Sequence, residues 1–382
     1  MTDMISQLRS LADQLRWASE VEPPHIGTFS EVLEEKIRTL SLSSMGSDVA
    51  DLDNDGHPEI YVTDMLPETD RRLKTTSSYE AWQIYQEKLE NGYYHQFMRN
   101  TLQHNNGDGT FSEIGQIAGV AATDWSWGAL AADFDNDGFK DLFISNGVYR
   151  DVIDQDFIDF LATQVDLRAL RQGERYRYTE LTERIPSIRL PNYLFASDGS
   201  LTFTNRAAEW GLGEPTFSNG SAYGDLDNDG DLDLVVNNLN EPSAVYRNET
   251  DTLRAHRYLK FRLVGDGANR FGVGTKITAL HGGARYYVEA IPVRGFQSSV
   301  DPVPLLGLGT IDTVDTVLVE WPDGRVEVRR DVATSRVLTF EQKDAAPAGT
   351  GLDVRAAPAA PVFASADPPA GLDFVHVETD CV

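Results

Sequence analysis

The nine residues Asp133-Phe134-Asp135-Asn136-Asp137-Gly138-Phe139-Lys140-Asp141 decide how this chain is read, because the same pattern occurs twice more. The other copies are Asp51-Leu52-Asp53-Asn54-Asp55-Gly56-His57-Pro58-Glu59 and Asp225-Leu226-Asp227-Asn228-Asp229-Gly230-Asp231-Leu232-Asp233. Each places carboxylates at loop positions 1, 3, 5 and 9, and glycine at position 6, where the backbone must turn sharply. That spacing suits calcium, a hard cation held by oxygen, with the main-chain carbonyl of position 7 (His57, Phe139 and Asp231) as a further ligand. The expected ligand sets are Asp51, Asp53, Asp55, His57 and Glu59; Asp133, Asp135, Asp137, Phe139 and Asp141; and Asp225, Asp227, Asp229, Asp231 and Asp233. Close carboxylates repel by about 1 to 4 kcal/mol per pair at effective dielectrics of about 80 to 20, so a cation is expected to be part of the fold.

A helix-loop-helix calcium sensor needs a bidentate acid at loop position 12. Here that position is Val62, Ile144 or Val236, each inside an apolar, strand-like run. The chemistry therefore points to a strand, a metal loop and a second strand. A serine stands seven residues before each loop (Ser44, Ser126, Ser218) and a glycine five before (Gly46, Gly128, Gly220). Further upstream, Asn100 and Leu102 answer Asn192 and Leu194, and Gly119 answers Gly211, all at the 92-residue offset that relates Asp133 to Asp225. One supersecondary unit is used repeatedly.

Beyond Asn248 the pattern changes. His256 to Val264 alternates like a half-exposed strand, and further strand-like runs follow, separated by turns at His281-Gly282-Gly283 and Pro322-Asp323-Gly324. This reads as a small antiparallel β-sandwich. Together, the repeated aspartate loops and the later segments Asn269 to Ile277, Leu306 to Gly309 and Val317 to Arg325 resemble FG-GAP or VCBS repeat proteins that carry a C-terminal ASPIC/UnbV domain. The segment at Arg294 departs from that pattern in having less glycine. The resemblance implies β-propeller blades stabilised by calcium, and an exported protein.

The fold expected is all-β: partial or incomplete propeller blades with helical insertions, then the sandwich. The expected division is a helical segment at 1–40, repeats at 41–248 with insertions near 66–98 and 150–190, a β domain at 249–343, a linker at 344–362, and the start of a truncated repeat at 363–382. About two complete blades and part of a third can be counted. Residues 4–18 and 29–40 each align apolar side chains on one helical face. In the first insertion Ser78, Trp82, Tyr85 and Leu89 form a stripe, and in the second Phe157, Phe160, Leu161, Val165 and Leu170 do so. Such insertions are candidates for partner recognition, or they cap exposed blade edges. Trp125 and Trp127 lie on one strand face, suited to core packing or to stacking on a sugar.

The net charge of -27 and pI near 4.5 disfavour binding to nucleic acid or to anionic membranes, although three calcium ions would offset six of those charges. No apolar run is long enough for a membrane-spanning helix. Residues Met1 to Arg9 lack the apolar core of a signal peptide, so either an export signal lies upstream, in a longer chain, or the export that the resemblance implies does not apply. The single cysteine, Cys381, allows no intrachain disulfide.

Nucleophile elbows, phosphate loops and dinucleotide fingerprints are not found, and His95 and His104 lack the partners of a catalytic zinc motif. The expectation is a non-enzymatic, calcium-stabilised adhesion scaffold for a protein or glycan at a cell surface. A glycan-active enzyme and a purely structural module are the alternatives.

Overall fold

The computed structural model describes residues 35–76, 82–165 and 177–347. Of the helix expected at 29–40, residues 29–34 lie outside the described residues, 35–36 are helical, and the end is taken by β1 (Leu40–Ser41). Leu40 instead donates its N–H to the His95 carbonyl at 2.9 Å, and β1 pairs in parallel with β4 (Gln96–Phe97). The expected helix at 4–18, the linker at 344–362 beyond residue 347 and the truncated repeat at 363–382 lie outside the described residues.

Three small antiparallel sheets follow as successive propeller-like blades. The first contains β2 (Ser47–Ala50), β3 (Glu59–Val62), β5 (Thr101–Asn105) and β6 (Phe111–Glu113). The second contains β7 (Ser126–Ala132), β8 (Asp141–Asn146), β9 (Tyr193–Ala196) and β10 (Thr204–Asn205). The third has three strands, β11 (Ser218–Gly224), β12 (Asp233–Asn238) and β13 (Ala244–Tyr246).

In every blade the aspartate loop joins the first two strands, and the hairpin register is the same. Ala50 faces Glu59, Ala132 faces Asp141, and Gly224 faces Asp233. The repeated glycine before each loop has a packing reason in the first blade. A Cβ on Gly46 would lie 2.3 Å from the Trp127 carbonyl oxygen, so only glycine lets these inner strands approach.

The middle blade is covered on both faces, which explains its unbroken apolar run. Leu142 and Ile144 pack with Leu52, Tyr61 and Leu102 of the first blade, whereas Phe143 and Leu130 pack with Leu234 and Val236 of the third.

The insertions leave between the second and third strands of the first two blades. The first holds α1 (Asp70–Thr76) and α2 (Trp82–Glu90). Arg72 of α1 grips Asp124 with Nε and Nη2, both at 2.9 Å, and reaches Asp151 with Nη1 at 2.7 Å, so it ties both insertions to the second blade. No side chain of α2 is buried. Of its expected stripe, Ser78 lies outside the described residues, Trp82 is 68% exposed, and Tyr85 stacks with Phe97 at 5.8 Å.

The second insertion holds α3 (Gln155–Phe160), which runs into a π-turn (Leu161–Val165), and α4 (Tyr178–Thr182). Asp154 caps α3 by accepting from the Phe157 N–H at 3.0 Å. Phe157 is buried and stacks with Phe160, while Leu170 of the expected face lies outside the described residues.

After α5 (Thr250–Leu253) comes the C-terminal β unit. One sheet contains β14 (Tyr258–Val264), β19 (Leu305–Gly307) and β22 (Arg336–Glu341). The other contains β15 (Lys276–His281), β16 (Ala284–Glu289), β20 (Thr313–Glu320) and β21 (Val326–Ala333), and a ribbon of β17 (Val293–Arg294) and β18 (Ser298–Ser299) extends from the unit. Leu259, Phe261, Ile277, Val317, Val319 and Phe340 fill the core between the sheets. One pairing departs from the antiparallel expectation: β14 and β22 are parallel over six residue pairs, because the last strand returns beside the first. Among the described residues no helix is long and apolar enough to cross a membrane.

Candidate metal centres

The three aspartate loops share one backbone. The position 4 asparagines are left-handed, with φ of 62° at Asn54, 57° at Asn136 and 65° at Asn228. The position 6 glycines follow at 98°, 102° and 99°, a conformation that a side chain would strain. The acid at position 9 accepts from the N–H of position 2 in all three loops: Glu59 from Leu52 at 2.8 Å, Asp141 from Phe134 at 3.0 Å, and Asp233 from Leu226 at 2.9 Å. The second oxygen of Asp141 accepts from Ser197 and that of Asp233 from Asn248, which pins the third strand to the loop. Position 9 therefore shapes the loop whether or not it also coordinates.

Carboxylate oxygens converge within each loop. Ligand atoms of Asp51, Asp53 and Asp55 lie within 4.8 Å of one another, as do those of Asp133, Asp135 and Asp141, and those of Asp225, Asp227 and Asp229. Asp137 stands beside its set and accepts from the Phe139 N–H at 2.8 Å. Asp231 is brought to a separate group with Asp229 and Asp251, and accepts from the Asp251 N–H at 3.0 Å.

Two observations fit a cation in these loops. The Oδ1 atoms of Asp51 and Asp225 are buried without a hydrogen-bond partner among the described residues, a costly state for a carboxylate unless a cation completes it. Burial, and then neighbouring carboxylates, also push several acids upward. Glu59 rises to about 8, Asp137 to about 6 and Asp231 to about 7, and Asp133 and Asp141 lie well above the usual range. These groups resist ionising together without a counter-charge.

The loops are also linked to one another. Asn54 Nδ2 donates to the Gly138 carbonyl at 2.8 Å, and Asn136 Nδ2 donates to the Gly230 carbonyl at 2.9 Å. The C-terminal unit rests on the same loop face: Arg285, Tyr286 and Tyr258 lie directly against Gly56, Gly138 and Gly230. Arg294, at the segment that departs from the family pattern, is buried and bonds Asp48 of β2 at 2.6 Å. Trp127 is half-buried and packs on Phe296 at 5.2 Å, while its Nε1 donates to the Gly147 carbonyl.

Basic and imidazole groups that sequence reasoning missed distinguish the loops. Lys260 Nζ lies 2.8 Å from Asp225 Oδ2, and Arg247 Nε lies 2.8 Å from Asp227 Oδ2. Arg254 Nη1 lies 2.6 Å from Asp135 Oδ2 in the second loop. In the first loop, His104 Nδ1 is 3.1 Å from Glu59 Oε1, and the buried Lys140 Nζ of the second loop donates to the Asp51 main-chain carbonyl at 2.7 Å, while among the described residues no lysine or arginine forms a side-chain ion pair with Asp51, Asp53 or Asp55. The repeat offset contains a signal for His104, since the matching residue 92 positions later is Ala196.

Comparison with known proteins agrees with this architecture. Residues 92–144, which span the second loop, match the FG-GAP-like repeat family, and residues 265–347 match the ASPIC and UnbV family. Cartilage acidic protein 1 of Mus musculus is 26% identical over 243 residues, covering 58% of this chain and 34% of that protein. The Homo sapiens protein of the same name is 25% identical over 243 residues, covering 58% and 33%. The chain thus spans about a third of the length of the curated relatives it matches. The resemblance read from the aspartate loops and the strands that follow them is borne out: the chain joins FG-GAP-like repeat sequence to ASPIC and UnbV sequence.

Proposed function

We propose that this chain is a calcium-stabilised, non-enzymatic binding scaffold that works outside the cell or at its surface. Its insertions and exposed loops present a surface to a protein or glycan. The observation that carries the reading is the threefold repetition of one loop backbone, with three carboxylates converging in each loop, directly beneath the C-terminal unit. Calcium in each loop neutralises the aspartates, holds the first hairpin of the blade, and stiffens the surface on which the C-terminal unit rests.

A calcium concentration of about 1 mM against a site constant of about 0.1 mM adds roughly 1.4 kcal/mol per site, or about 4 for three. That is a large part of a typical domain stability of about 5 to 15 kcal/mol. The recognition surface proposed is the first insertion, where Trp82, Ile84 and Tyr93 are exposed beside the Tyr85 and Phe97 rings. Exposed aromatic faces of this kind suit sugar rings and apolar protein side chains.

The test is thermal unfolding with titrated calcium and with chelator, followed by metal counting on folded protein and screening against glycans and surface proteins. A large calcium-dependent rise in melting temperature with bound ions supports the reading. Melting that ignores calcium, with no metal retained, rejects it. Release of product from a glycan array would favour the enzyme alternative.

A further inference from the structure

We propose that the first loop is a mixed nitrogen and oxygen site, built for a borderline divalent cation such as Mn²⁺, Co²⁺ or Zn²⁺. This rests on the reading above that the loops hold metal, and it assigns the first of them a different metal class. Asp53, Glu59 and His104 offer ligand atoms that all lie within 4.8 Å of one another, and Asp53 is shared with the Asp51, Asp53 and Asp55 group. The imidazole therefore converges with two carboxylates, Asp53 and Glu59, and Asp53 links this group to the aspartates of the loop. The equivalent residue is Ala196 at the second blade and Arg247 at the third, each just before the residue whose N–H binds the position 9 acid.

A ligand is independently indicated by Asp51. Its side chain is buried, with 1% of the residue exposed, Oδ2 accepts from the Gly56 N–H at 3.0 Å, and Oδ1 has no partner among the described residues. Nitrogen ligands add little affinity for calcium, which takes oxygen, but imidazole suits manganese to zinc in the usual order of divalent metals. The nearby Glu59 is itself buried, so the imidazole and a desolvated carboxylate address the same ion.

The experiment compares the full chain with His104→Gln, a change at a partly exposed side chain that keeps a hydrogen-bond donor for Glu59. Co²⁺ is titrated into chelator-treated protein and followed by its visible absorption, with Ca²⁺ uptake and circular dichroism measured on the same samples. The expected result is one Co²⁺ bound by the native chain on the order of tenfold more tightly than by the variant, with a nitrogen-ligated absorption band that the variant lacks. Ca²⁺ uptake at the other loops should be unchanged. Identical Co²⁺ curves and spectra, with Ca²⁺ uptake intact, overturn this assignment and leave the calcium reading standing. Failure of the folded native chain to take up either ion overturns both.

Discussion

The first and third aspartate loops are nearly the same peptide in nearly the same conformation, yet their charges are balanced by different means. In the first, no lysine or arginine forms a side-chain ion pair with the position 1 to 5 aspartates among the described residues; the buried Lys140 ammonium instead donates to the Asp51 main-chain carbonyl at 2.7 Å, and one oxygen of Asp51 is left without a partner, as one of Asp225 is. In the third, Lys260 reaches across from the C-terminal unit to Asp225, with side chains only 9% and 2% exposed, and Arg247 holds Asp227. The motif sets the backbone and the direction of the carboxylates. What neutralises them is decided by residues far away in sequence, so one motif yields a loop whose aspartate side chains lack an ion pair among the described residues and another whose first aspartate is held by a buried ammonium group.

The largest way to break this comparison is Lys260→Met. Removing one member of a buried ion pair costs about 3 to 5 kcal/mol, so the variant should melt far below the native chain in chelator. It should also recover much of the loss in calcium, as the ion takes over the role of the ammonium. Equal melting of the variant and native chains in chelator would show that the third loop does not depend on Lys260.

The pH dependence should be next in size. Burial first, and then nearby carboxylates, raise Glu59 from 4.5 to about 8 in the folded chain. Its contribution to metal-free stability is therefore full below about pH 4.5 and is lost as pH rises through about 8. Asp137, raised to about 6, and Asp231, raised to about 7, act in the same direction. Chelated protein should lose melting temperature between pH 5 and 8, Glu59→Gln should flatten that slope, and saturating calcium should suppress it. A chelated protein that becomes more stable over this range would contradict the sign.

Asp135→Ala addresses the middle loop, where Arg254 gives partial compensation. It should lower both calcium uptake and melting temperature, by about 1.4 kcal/mol at 1 mM calcium if one site of about 0.1 mM is lost. Unchanged melting in saturating calcium would count against a structural metal there. The smallest effect expected is that of Asn54→Gly, which keeps the left-handed backbone but removes the bond to the Gly138 carbonyl. A loss of about 1 kcal/mol is expected in urea unfolding, and no loss would mean that the loops are not energetically linked.

Much of this was legible in the chain itself, because the signals are local. Loop spacing placed each glycine turn and each hairpin, and Val62, Ile144 and Val236 stand in strands as their apolar runs imply. The pairings that distinguish the loops were not legible. Lys260 meets Asp225 across 35 positions, His104 meets Glu59 across 45, and Arg294 meets Asp48 across 246. Period-two alternation in β14 makes Lys260 a surface residue, and only the packing of the C-terminal unit on the third loop buries it. Leu40 was similarly misread: its spacing suits a helix, but the neighbouring Gln96–Phe97 segment offers it a strand partner.

The parallel pairing of β14 and β22 bears on how the C-terminal unit responds to tension. The chain enters at Tyr258, at one end of this ladder, and leaves at Glu341, at the other. A pull on the two ends therefore draws the strands past each other along their length, and the bonds between them must yield together rather than one at a time. Built this way, the unit can transmit force between the blades and whatever follows it without opening like a zip.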